Sequence, residues 1–219
     1  MDKNKKELIS VILNTFILGM MIGAFIFMLV KRGSSFDDTG GGLSAFRFFT
    51  VQSNIYMGIV SLIYLINYLV VYDKESRSIS TIVKVLKLTG TASVAITLLT
   101  VVFYLFPITL SWEMFTNTNL FMHFLIPVVS IVTYIWFDDV SLKKKFSWFT
   151  IIPVGGYGLF YFINVAVHNG YGTMKYDWYG FGQWGLGVSF IVFIVFAFIG
   201  YGVSILLQTL RKKANKNER

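Results

Sequence analysis

Residues 8–30 read LISVILNTFILGMMIGAFIFMLV, and the run ends in Lys31-Arg32. As a helix these 23 residues extend about 35 Å at ~1.5 Å per residue, enough to cross the ~30 Å hydrocarbon layer of a bilayer. A secretory signal has a shorter apolar core followed by a small-residue cleavage site. This run is therefore expected to be a retained first membrane span. Five further apolar runs follow, at about 46–71, 85–106, 120–137, 146–167 and 184–210. The run at 120–137 is the shortest, and those at 46–71 and 184–210 are long enough to tilt or to pass the interface. Hydrocarbon offers no partner for backbone N–H and C=O groups, so each span must be a helix. The expected fold is all-α, a polytopic membrane protein with six transmembrane helices forming a single domain over 1–219. Composition agrees: 55% of the residues are apolar and the mean hydropathy is +0.66. The connections are short, and Gly40-Gly41-Gly42 reads as a hinge in the first.

The chain has no cysteine, which removes disulfides, thiolate catalysis and thiolate-bound metals. Its only two histidines are His123 and His168. A multi-histidine metal site is not expected, a haem held between paired histidines has little to draw on, and no cofactor is expected. The net charge of +8 reflects where the cations lie rather than a nucleic-acid-binding face. Fifteen of the Lys and Arg residues fall at the N-terminus, in the second and fourth connections with the adjoining helix start, and in the C-terminal tail; Lys31, Arg32, Arg47 and Lys175 make up the opposite side. Positively charged flanks stay in the cytoplasm, so both termini are expected there, in a cell membrane.

This topology gathers polar residues in the outer half of the bundle and leaves the inner halves plainer. Thr50, Ser53, Asn54, Met57 and Ser61 follow one helix face. Asn119, His123, Pro127, Ser130 and Tyr134 form a second stripe, and Thr89, Ser93, Thr97, Thr100 and Tyr104 a third. Tyr157, Tyr161, Asn164 and His168 form a fourth, and are candidates to line a substrate cavity. Small hydroxyl residues also serve helix contacts, the plainer reading for the third stripe. A histidine inside a span more often marks function. Thr50 and His123 each lie about one helical turn into a span on the same side, a hydroxyl and a titratable base at one depth. Pro127 frees a backbone carbonyl beside them. Trp178, Tyr179 and Trp184 fit an interfacial aromatic belt.

The strings Phe48-Phe49-Thr50-Val51-Gln52-Ser53-Asn54 and Asn119-Leu120-Phe121-Met122-His123-Phe124-Leu125-Ile126-Pro127 resemble the androgen-induced, ADTRP-like family of six-helix membrane proteins. The resemblance implies an intramembrane threonine hydrolase acting on fatty acid esters of hydroxy fatty acids or similar acyl lipids. It also implies Thr50 as nucleophile and His123 as the histidine that serves it. The two lie closer in sequence here than in animal members, which implies trimmed connections. Hydrolysis by such a pair needs donors for the developing oxyanion, and Asn54, Gln52, Asn119 and Ser53 are the polar candidates at that depth. Glu113 and Asp177 are the acidic residues on outer loops that can reach in. Membrane lipid or an acyl ester is the expected partner. A non-catalytic lipid-binding protein and a small-molecule transporter are the alternatives; transporters often show repeats, broken helices or mid-membrane charges, none evident here.

Overall fold

Six long helices carry the chain in a computed structural model that describes residues 2–30, 42–72, 79–170, 173 and 175–216. They are α1 (Lys3–Val30), α2 (Phe49–Val70), α3 (Thr81–Thr109), α4 (Asn117–Phe137), α5 (Lys144–Val167) and α6 (Leu186–Asn215), each long and apolar enough to span a membrane. No strand occurs among the described residues. Lys31, Arg32, Gly40, Gly41, Lys74, Arg77 and Arg219, which entered the hinge and charge readings, lie outside them.

The helices run past the apolar limits where polar residues can finish a turn. The α1 helix begins at Lys3, because the Lys3–Glu7 turn continues the helix before the apolar run starts. The α3 helix begins four residues early because Ser80 caps it, its Oγ accepting from the Val83 N–H at 3.3 Å. Lys6 at the start of α1 donates to Asn215 Oδ1 at the end of α6 at 2.5 Å, so these two helix ends share one face of the bundle. That side is the terminal face below, and its opposite the far face.

Among the described residues three π-helical turns interrupt the ladder, at Val101–Leu105 in α3 and at Phe121–Leu125 and Thr133–Phe137 in α4. Proline explains the first two. Pro107 and Pro127 lack an N–H and crowd the carbonyls of Phe103 and His123 four residues back. The preceding residues Phe106 and Ile126 bond instead to Val101 and Phe121, five residues back. Such turns often mark functional positions, and the second holds His123.

The helices pack through small residues. Gly158 lets α5 approach α6 so closely that a Cβ there would collide with the ring of Phe193. Gly158→Ala is expected to lower stability by about 1–3 kcal/mol through this overpacking. Thermal unfolding in detergent tests it, and an unchanged midpoint would show that the ring swings aside freely.

Candidate functional site

Near the far face, helices α2, α3, α5 and α6 and the 176–184 segment enclose a cavity of about 170 Å³. Thr50 lines it, with Thr97, Thr100 and Tyr104 from α3 and Tyr157 and Tyr161 from α5. A cleft of about 470 Å³ shares Ile96, Thr100, Tyr104, Phe181, Val192 and Phe196 with the cavity. It runs between α3 and α6 along the apolar side chains of Leu99, Phe103, Ile191, Val195 and Ile199.

The 176–184 segment closes the far end, and Asp177 holds it there. Its side chain is 1% exposed and accepts from the Tyr161 hydroxyl and from the Gly182 N–H, the latter at 2.9 Å. Trp178 is thereby buried, its Nε1 donating to Tyr157 Oη at 3.1 Å. Tyr179 Oη accepts the otherwise orphaned Phe49 N–H at the start of α2 at 2.9 Å. Burial pushes the Tyr179 phenol above its ordinary range, so it stays protonated at neutral pH. The belt reading is corrected for Trp178 and Tyr179. Both line the cavity, because burial of Asp177 draws their turn inward, whereas Trp184 is exposed.

Around Thr50 the contacts centre on its backbone carbonyl. It accepts from Ser53 Oγ at 3.1 Å and from Asn54 Nδ2 at 2.7 Å. The same Asn54 nitrogen donates to the Met122 carbonyl at 2.9 Å. One buried amide thus joins α2 at Thr50 to the π turn of α4, next to His123. Both hydrogens of the Asn54 amide are committed to these two carbonyls. Ser53 Oγ also lies 3.0 Å from Thr97 Oγ1, tying α2 to α3. Gln52 Nε2 donates one hydrogen to the Phe46 carbonyl at 2.7 Å and keeps the second.

His123 does not line the cavity, and among the described residues no hydrogen bond joins it to Thr50. Its Nδ1 lies 2.8 Å from the Met114 carbonyl. A carbonyl can only accept, so Nδ1 carries the proton and Nε2 keeps its lone pair. Asn119, one of the oxyanion candidates, donates to the Glu113 carbonyl at 3.1 Å. The Met114 carbonyl of the third loop therefore sets the imidazole. Asn164 and His168 also lie off the cavity. Asn164 Nδ2 holds the Tyr176 carbonyl at 2.8 Å, and the exposed His168 ring stacks on Tyr176 at 4.2 Å between centroids.

The inner halves are not plainer, and that expectation is corrected. Lys87 and Asp138 are both 0% exposed and lie 3.1 Å apart. Lys87 Nζ also donates to Asn14 Oδ1 at 2.6 Å. Asp138 Oδ1 accepts from Asn14 Nδ2 at 2.9 Å and from Ser10 Oγ at 2.6 Å. Ser10 Oγ donates towards one acceptor at a time, and Tyr64 Oη is 3.1 Å from it. This network joins α1, α2 and α3 to the end of α4. Sequence reading missed it because Lys87 reads as a flanking charge near a helix start and Asp138 as a loop residue. Polar Ser10 and Asn14, four apart inside the first span, were its only signal. No group of three or more metal-ligating side chains occurs among the described residues. No family model, curated protein or solved structure matches the chain.

Proposed function

We propose that this protein is an intramembrane acyl-ester hydrolase with Thr50 as nucleophile and His123 as general base, its termini in the cytoplasm. The resemblance of the two strings above suggests that reaction class. The observation that carries it is the Asn54 bridge, which fixes the backbone of cavity-lining Thr50 against the turn bearing His123. The cavity suits the substrate class, since it is polar at Thr50 and continues into an apolar cleft that takes an acyl chain from the bilayer.

Chemically, Nε2 of His123 takes the Thr50 hydroxyl proton as Oγ1 attacks the ester carbonyl. Collapse of the tetrahedral intermediate breaks the C–O bond, and the leaving alkoxide takes the proton from Nε2. Water then attacks the threonyl ester, giving its proton to Nε2, and Oγ1 recovers a proton as the fatty acid departs. Gln52 keeps one spare amide hydrogen and is a candidate oxyanion donor, but it does not line the cavity, so its side chain must turn toward Thr50 to serve. The pair closes to hydrogen-bonding distance in the substrate complex, as catalytic contacts that are long without substrate commonly do.

Covalent labelling tests this. A fluorophosphonate probe is expected to label wild-type protein and Thr50→Ser in membranes, and to leave Thr50→Ala unlabelled. Undiminished labelling of Thr50→Ala would remove Thr50 as nucleophile. The buried Lys87–Asp138 pair favours a second reading, a small-molecule transporter, since charges within the bundle commonly serve transport. Solute flux into vesicles without ester turnover would select it.

A further inference from the structure

The terminal face holds a concavity of about 1120 Å³ between the α4–α5 connection and the last turns of α6. Lys143, Lys144, Arg211, Lys212 and Lys213 line it against a single carboxylate, Asp139. The four lysines are exposed, and the tendency of membrane proteins to collect cations at one face accounts for them. Arg211 is different. It is 8% exposed, and its Nη1 donates to the Tyr134 carbonyl at 2.7 Å. Its guanidinium also lies over the Tyr134 ring, 5.9 Å from the centroid, but among the described residues it makes no further hydrogen bond, and no carboxylate oxygen lies within 4.0 Å of it. A buried cation is ordinarily paired, because desolvation without a counter-charge is costly.

We propose that this concavity binds the phosphate of an anionic phospholipid headgroup, with Arg211 as its anchor. Guanidinium presents a planar fork of N–H donors that matches phosphate oxygens two at a time. The concavity opens where α5 begins and α6 ends, the depth at which spans leave hydrocarbon and headgroups stand. Membrane lipid is concentrated there, whereas free phosphate is dilute. The surrounding lysines select a net-negative headgroup over a zwitterionic one, whose own cation they repel. The site lies at the opposite end of the bundle from Thr50 and stands whether or not ester hydrolysis is confirmed.

Thermal stabilisation and native mass spectrometry of the full chain in detergent test it, with phosphatidylglycerol, phosphatidylcholine or inorganic phosphate added. Phosphatidylglycerol alone is expected to raise the unfolding temperature to a plateau and to remain bound as one retained lipid. Arg211→Gln is expected to weaken that binding about tenfold or more, a loss of one bidentate contact. Lys143→Gln, at the exposed rim, is expected to weaken it by less than about threefold. Should Arg211→Gln fail to fold, Arg211→Lys keeps the charge without the fork and is expected to bind several-fold more weakly. Equal stabilisation by phosphatidylcholine or by inorganic phosphate overturns the proposal. So does an Arg211 variant that binds as wild type, or that loses no more than Lys143→Gln.

Discussion

Lys87→Met and Asp138→Ala are each expected to lower the unfolding temperature by about 6–20 °C. Either change strands the other charge in a fully buried site, which typically costs about 3–5 kcal/mol, and a chain of this size shifts about 2–4 °C per kcal/mol. The double variant Lys87→Met with Asp138→Asn is expected to recover most of the loss. It removes both charges, and an amide at 138 still accepts from Ser10 Oγ and Asn14 Nδ2. Residues in one network do not behave additively, so the double variant should be more stable than either single one. Unfolding followed by near-ultraviolet circular dichroism in detergent gives the three midpoints. Single variants within about 2 °C of wild type would mean that the charges are solvated as the protein breathes.

The helical layout was legible because the bilayer imposes it. A backbone in hydrocarbon must satisfy itself, so long apolar runs translate directly into helices, and no span end in the structure departs from its expected place by more than five residues. The departures fall where charged or polar side chains continue a helix into water, as at Lys3 and Ser80. Pairings between helices were not legible. Lys87 and Asp138 are 51 residues apart in sequence, and neither has a partner within its own helical turn. Asp177 gave no local hint of burial either, since a lone acid in a Gly- and Tyr-rich loop reads as solvated. Its role follows only from the Tyr161 hydroxyl and Gly182 N–H that converge on it. Position along the bundle was readable and direction was not. The order of the spans put Thr50, His123, Asn164 and His168 near one end, but whether each side chain meets the cavity depended on loop carbonyls at Met114 and Tyr176. Those carbonyls belong to irregular segments that follow no period.

Turnover of a fatty acyl ester by protein in vesicles is expected to fall about 10²–10⁴-fold in His123→Ala, the range typical of a lost general base. Thr50→Ala is expected to fall at least as far. Nucleophile and base act as one unit, so the double variant should be no slower than the slower single variant. Multiplying losses would mean that the two residues serve separate steps, and the assignment would fail. Asn54→Leu sharpens the comparison. It leaves Thr50 and His123 intact while removing the amide shared by the Thr50 and Met122 carbonyls. If Asn54 holds the two helices in register for reaction, kcat should drop in this variant with KM little changed, because the apolar cleft proposed to receive the acyl chain lies between α3 and α6. A change confined to KM would place Asn54 with substrate binding instead. A loss in Asn54→Leu that disappears when His123 is already alanine would tie the bridge to the histidine it positions.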